Sequence, residues 1–422
     1  MDERLGSNHK LVKIHNRALV LKIIQQNENI SRKQIALQTG LSQATITMIT
    51  NALLELGLIL ETGKDMSSGT QGRKQVFLSI NKEKYRIIAM NLGRSLVQTA
   101  ICDLAGNILH KSEQNLELFK ERNFPSDRIE ERVVGLIRNL MSDFGMDSQD
   151  LLGISIAAPG PLNAGNGIIR SLASGGSGQP SAAPFDWRDI HLKEAVQREF
   201  SVNAFVENDA NISALGESWF GGGGGVSNLA VYMIGFGTGA GAIIDGMLYR
   251  GAEDVVAEIG HVTVNFNGPE CRCGNVGCLE LYSDFHNIID DYDRRRGKAG
   301  GVPARQLPNS EAVLRIKGIF EEAAAGGAEA VEVLTAHGRV LGLGAVTLAN
   351  ILCPERIIIS ANDLGDIDLS ILITQIQEAV RRRAFPSIAD KVGVVASTLG
   401  RDITLYGGIV LVLQDLFLNI AE

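Results

Sequence analysis

Apolar residues recur at helical spacing between Asn16 and Gln26, where Leu19, Val20, Ile23 and Ile24 form one stripe. A short helix is expected next, with Ser31 as its N-cap and Gly40 as its stop. A third helix runs from a cap at Ser42 to Gly57, with Ile46, Ile49, Leu53 and Leu56 on its inner face. Residues 58–60 and 76–78 then read as two strands around a polar loop, a slim wing with Arg73 and Lys74 at its tip. Two short helices joined by a tight glycine turn and followed by a wing make a winged helix-turn-helix unit.

Beyond residue 82 the period changes. Residues 87–110 and 229–249 each read strand, glycine turn, strand, tight Asp-containing turn, strand, and helices follow each stretch. A repeated three-stranded meander predicts two related α/β lobes. Glycine hairpins facing each other across a cleft can cradle anions with backbone N–H groups. The connections at 171–184 and 290–309 are polar and interrupted by Gly and Pro, and are expected to be mobile.

A chain of 422 residues exceeds one compact core, so two or three domains are expected. A content of 45% hydrophobic and 21% charged residues is ordinary for a globular protein. The first ten residues lack the apolar centre of a secretory signal. The longest weakly charged stretch, 228–244, contains Gly235, Gly237, Gly239 and Gly241 and reads as strands rather than a membrane span. A cytoplasmic protein with no membrane partner is the expectation.

The net charge of −8 conceals an asymmetry: residues 1–84 hold 12 Lys+Arg against 7 Asp+Glu, net +5, leaving −13 for the remainder. A basic head on an acidic body suggests that only the head meets a polyanion. Ser42, Gln43, Ala44, Thr45, Thr47 and Asn51 lie at the start of the third helix or off its apolar face, where a recognition helix meets the major groove. Gln and Asn can read adenine, and Ala or Thr methyls can touch the thymine methyl. Arg73 and Lys74 on the wing suit a narrow minor groove. A protein-binding module of the same shape is the competing reading; helix spacing, wing and charge together favour double-stranded DNA.

The densest chemistry lies at 258–280, where His261, Cys271, Cys273 and Cys278 offer one imidazole and three thiols. A Cys₃His set closes a tetrahedron around one structural Zn²⁺ per chain. Gly274 and Gly277 sit where a loop wrapping a small ion needs positive φ. A disulfide with a spare thiol is the alternative, disfavoured by the density of the cluster and by the missing export signal. Such a metal would fix the directions of Glu258 and Glu280, acceptors suited to a ligand rich in hydroxyls.

From Arg86 onward the chain resembles the ROK family (repressor, open reading frame, kinase). The resemblance is carried by GISIAAPGP at 153–161, ENDAN at 207–211, GTGAG at 237–241, EIGH at 258–261 and the cysteine knot at 271–280, all in family order. It implies an actin-like, ribonuclease-H-like two-lobe sugar-kinase fold. The chain then divides into a winged helix-turn-helix domain at 1–82, lobe I at 83–206 plus 383–422, and lobe II with the zinc knot at 207–382. Residues 396–418 would be the helix that returns to lobe I. Asn208, Asp209, Glu258 and Glu280 would bind sugar hydroxyls, and Asp209 matches the kinases' general base. His261 would give one ring nitrogen to zinc and the other to the sugar. A local capping role for Asp209 is compatible with this.

The chain departs from the kinases at their Asp-x-Gly-Gly-Thr motif, where it has Asn91, Leu92, Gly93, Arg94 and Ser95. Losing that carboxylate removes a metal handle, and Arg94 crowds the phosphate path, so phosphoryl transfer is not expected. The sequence therefore reads as a sugar-responsive DNA-binding repressor of carbohydrate-utilisation genes, a homodimer or dimer of dimers, and not an enzyme. The rivals are an active sugar kinase with an added head, and a regulator whose body docks a phosphotransferase protein.

Overall fold

The structure is a computed structural model and describes residues 4–64, 76–93, 96–115, 126–160, 162–169, 190–252, 254–298 and 300–419. The head contains α1 (Arg4–Gln26), β1 (Ile30–Ser31), α2 (Arg32–Thr39), α3 (Gln43–Glu55), β2 (Ile59–Lys64) and β3 (Val76–Ile80). Ser31 forms a capping box with Gln34, and Gly40 ends α2 at φ 70°. The Ser42 hydroxyl accepts from Thr45 N and caps α3. Three details differ from expectation. Helix α1 begins well before Asn16. Thr50, not Leu56, completes the buried face of α3, because its hydroxyl is satisfied by Arg32 Nε at 2.9 Å. A third strand, β1, pairs with β3, a bridge too short to leave a sequence period.

The body contains two five-stranded sheets of the same topology. The first comprises β4 (Arg86–Leu92), β5 (Leu96–Asp103), β6 (Ile108–Asn115), β7 (Leu151–Ala158) and β11 (Ala204–Asn208), in the order β11-β7-β4-β5-β6. Between them lie α4 (Ser126–Phe144), the short strands β8 (Leu162–Asn163), β9 (Ile168–Ile169) and β10 (Ile190–His191), and α5 (Leu192–Phe200). After α6 (Asp209–Phe220), the second sheet comprises β12 (Leu229–Ile234), β13 (Thr238–Ile244), β14 (Met247–Tyr249), β15 (Arg356–Ser360) and β16 (Gly393–Ala396), in the order β14-β13-β12-β15-β16. Each sheet is thus an antiparallel meander extended by two parallel strands, and parallel strands need both faces covered. Their burial patterns agree: β12 is buried along its whole length and β7 at all but one position.

The second lobe is completed by α7 (Glu280–Ser283), α8 (Phe285–Arg295), α9 (Asn309–Ala324), α10 (Ala328–Leu352), α11 (Ser370–Arg383) and α12 (Pro386–Ala389). Helix α10 is long and apolar enough to cross a membrane, but eleven of its residues, from Ala330 to Ala349, are buried in this lobe. The connection at 290–309, expected to be mobile, is anchored at its described residues. Its first part continues α8, Ala304 is fully buried, and Asp290 accepts from Ala304 N at 2.8 Å. The other, at 171–184, lies outside the described residues. Strand β16 follows residue 383 yet pairs in the second sheet, and the return to the first is made by α13 (Ile403–Asn419).

Helices α6 and α13 cross between the sheets, α6 lying on β12 and β13 and α13 on β4 and β7. Their backbones meet at glycines. A Cβ on Gly407 would fall 1.8 Å from Ile212 O, and one on Gly216 would fall 2.5 Å from Ile403 O. No side chain fits there, so only glycine permits the crossing. On the far side α1 spans both lobes. Gln25 Nε2 donates to Leu104 O in the β5–β6 turn at 2.7 Å, while Gln25 Oε1 accepts from Trp219 Nε1 on α6. Lys22 Nζ donates to Ser218 O and lies 5.9 Å from the Trp219 ring centre. The His15 ring packs beside Gly246 in the β13–β14 turn.

Candidate functional site

A cleft of about 330 Å³ opens between the two sheets. Asn208, Asp209, Glu258, His261 and Glu280 all line it, although they come from three separate stretches of chain. Asn208 ends β11 and caps α6, its Oδ1 accepting from Ala210 N at 2.9 Å and Asn211 N at 3.3 Å. Its Nδ2 reaches Gly160 O at 3.3 Å. Asp209 is the first residue of α6, where a carboxylate is favoured by the helix dipole; the cap itself is Asn208. Glu258 precedes a 3₁₀ turn, Ile259–His261, and is exposed. The residue before it, Ala257, is held at φ 54°, a costly conformation for a side-chain-bearing residue.

Glu280 is buried and its two oxygens are occupied. Oε2 accepts from Thr238 N at 3.1 Å and Oε1 from Arg272 Nη2 at 2.9 Å. Arg272, Thr238 and Asp363 also line the cleft and were not singled out from sequence. Arg272 was findable as the lone cation between two thiol ligands. Asp363 gave no signal, because the 360–363 turn has no periodicity of its own. Thr238 Oγ1 is buried without a hydrogen-bond partner among the described residues. Glu207, 1% exposed, pairs with Arg250 Nε at 2.6 Å and so ties β11 of the first sheet to the end of β14 in the second.

His261, Cys271, Cys273 and Cys278 converge, with all four donor atoms within 4.8 Å of one another. Tetrahedral ligands at zinc bond lengths stand about 3.8 Å apart for two sulfurs and about 3.5 Å for sulfur and nitrogen. Here Cys273 Sγ and Cys278 Sγ are 3.7 Å apart, and Cys271 Sγ lies 3.6 Å from His261 Nδ1. The donor set and its spacing therefore fit one closed tetrahedral ion. Burial and neighbouring thiols push the Cys278 thiol up to about 12, and burial also raises that of Cys271. Only a cation would make such crowded thiolates favourable. Gly274 and Gly277 have φ 88° and 64°, as the tight loop requires. A Cβ on Gly277 would lie 1.7 Å from Asn265 O.

Asn91 is buried on β4, and its Nδ2 donates to Gln98 Oε1 at 3.2 Å. Gln98 passes the contact to Glu113 and Asp402, which also hold Lys111. Arg94 and Ser95 lie outside the described residues. On the head, Ser42, Gln43, Ala44, Thr47 and Asn51 are exposed and Thr45 is half-buried. The Ser42 and Thr45 hydroxyls are bonded to each other, and Asn51 Oδ1 accepts from Arg32 at 3.3 Å. Gln43 and Ala44 make no side-chain hydrogen bond of this kind among the described residues. Arg73 and Lys74 lie outside the described residues.

Residues 87–415 match the ROK family, and residues 16–59 match winged helix-turn-helix DNA-binding domains. The xylose repressor of Caldicellulosiruptor bescii is 29% identical over 97% of this chain and 98% of its own length. The N-acetylglucosamine repressor of Escherichia coli O6:H1 is 30% identical over 93% and 91%. A crystal structure of a ROK family transcriptional regulator, a homolog of the E. coli MLC protein, superposes with a TM-score of 0.75 at 27% identity, covering 97% of this chain and 98% of that one. The chain belongs to the ROK family, with a winged helix-turn-helix domain ahead of its two-lobed body.

Proposed function

We propose that this protein is a sugar-responsive transcriptional repressor of carbohydrate-utilisation genes, with the effector held between the lobes. One observation carries the reading: Asn208, Asp209, Glu258, His261 and Glu280 line a single cleft. Carboxylates accept from hydroxyls, amides and guanidinium groups donate, and each sugar hydroxyl can both donate and accept. His261, Cys271, Cys273 and Cys278 would hold one structural zinc ion, which supplies no chemistry beyond fixing the loop. His261 uses Nδ1 on that side, leaving Nε2 for the sugar.

The head binds double-stranded DNA through the exposed face of α3, with Ser42, Gln43, Ala44, Thr45, Thr47 and Asn51, and through Arg73 and Lys74 of the wing. A homodimer in the cytoplasm would place two heads on half-sites about one helical turn or a multiple apart. The three-part division at 1–82, lobe I and lobe II is the working frame, with β16 counted in lobe II. Sugar binding shifts the balance between open and closed clefts, and it does so only through its different affinity for the two.

Catalysis is not part of this function. The place of the kinases' acidic residue is taken by Asn91, whose amide is bound into the Gln98 cluster. The test is a calorimetric panel of sugars and sugar phosphates, paired with operator selection from a random duplex pool. Saturable heat from a sugar, lost in Glu258→Gln, supports the reading. ATP consumption at ordinary kinase rates with the same sugar would replace it with the kinase.

A further inference from the structure

Helix α6 has one end in the cleft and the other under the head. Its first turn carries Asn208 and Asp209, and its last carries Ser218 and Trp219, which hold Lys22 and Gln25 of α1. The same Gln25 amide donates to Leu104 O, in a turn of the first sheet. One side chain of the head therefore touches both lobes at once. The Lys22 ammonium sits at the carbonyl end of α6, where the helix dipole favours a cation, and burial lowers its pKa. His15 adds a contact to the β13–β14 turn of the second sheet.

We propose that α1 is a strap across the back of the two lobes and that Gln25 registers their relative position, so that movement at the cleft loosens or tightens the head through α6. The inference rests on reading the cleft as the effector site. It follows from geometry. Leu104 belongs to the first lobe and Trp219 lies in the core that α6 shares with the second sheet, while the neighbouring Phe220 packs on Gly106 of the Leu104 turn. A small rotation of the lobes would pivot on the close backbone contacts of Gly216 and Gly407. It changes the separation of Leu104 O and Trp219 Nε1, and a single amide cannot follow both. By linkage, the strap must bias the cleft as strongly as the cleft biases the strap.

That reciprocity gives a test needing no ligand. Gln25→Glu keeps an acceptor for Trp219 Nε1 but loses the donor to Leu104 O. Trp219→Phe does the reverse, sparing Leu104 and removing the indole donor. Amide hydrogen exchange is followed in the full chain at residues 209–212, at the cleft end of α6, with α4 as internal reference. Both variants should speed exchange at 209–212 by about threefold or more while α4 is unchanged. Acceleration confined to α1 and residues 218–220, or spread evenly to include α4, overturns the proposal. In the wild type, D-xylose and N-acetylglucosamine serve as probes. A sugar that slows exchange at 209–212 should also alter it at 22–26; slowing at the cleft with α1 unaffected overturns the strap and leaves the cleft reading intact. If neither sugar slows exchange at the cleft, the result counts against the cleft reading alone, because the two variants decide the strap without it.

Discussion

Arg272 donates to Glu280 Oε1 at 2.9 Å from a position between two cysteines of the Cys₃His cluster. The loop that carries these cysteines therefore also aims a cleft carboxylate, with Thr238 N holding its other oxygen at 3.1 Å. Arg272→Ala should weaken sugar binding by about tenfold, since Glu280 Oε1 loses its partner and the carboxylate is no longer held from both sides. Calorimetry measures the affinity, and metal content should stay at that of the wild type. A Lys at this position restores the charge without the planar fork and should recover only part of the loss.

Cys273→Ser removes one of four donors. Metal analysis should show loss of the ion, and the melting temperature should fall, because binding free energy of a structural zinc is folding free energy. Sugar affinity should drop with it, as Glu258 and Glu280 lose their common anchor. Full metal content in this variant would disprove the knot.

Gly277→Ala reaches the same outcome without touching a ligand. The added Cβ would fall 1.7 Å from Asn265 O in a residue at φ 64°, so the loop cannot close as it does here. Loss of metal comparable to that of Cys273→Ser is expected, read by the same analysis.

On the head, Ser42→Ala should cost about 1 kcal/mol of stability through the lost cap on α3. Gln43→Ala should weaken operator binding by about 1–3 kcal/mol and relax sequence preference with the melting temperature unchanged, whereas Ser42→Ala should lower both affinity and melting temperature. Gel-shift titration against cognate and altered operators separates the two. Sugar affinity should be the same in both variants.

His337 on α10 is buried beside Asp291, and burial holds its pKa below the usual imidazole value despite that carboxylate. The unfolded chain therefore takes up the proton first as pH falls. Stability should be full above about pH 6.5 and decline below it, until the folded form protonates as well. Melting curves across pH 5–8 check this, and His337→Asn should flatten that part of the profile.

Much of this architecture was legible in the chain because the signals are local. Ser31, Gly40, Ser42 and Gly57 mark helix ends by side-chain chemistry or positive φ, and the structure uses each of them so. The two meanders declared themselves through alternating strands and glycine turns. The four donors, His261, Cys271, Cys273 and Cys278, were close enough in sequence for spacing to announce their convergence. What stayed hidden depends on contacts between distant segments. Thr50 is buried because Arg32 satisfies it, Ala304 because Asp290 captures its amide, and β16 joins the second sheet through β15. The pairings of Gln25 with Leu104 and Trp219 span 79 and 194 residues, and no periodicity reports them.

The glycine crossing of α6 and α13 has a mechanical consequence. Gly407 rests on Ile212 O and Gly216 on Ile403 O, so the fulcrum falls near Ala214. At about 1.5 Å of rise per residue, Asp209 and Trp219 each stand about 7.5 Å from it. Under the strap proposal a tilt of α6 about this crossing would displace Asp209 and Trp219 by similar distances in opposite senses.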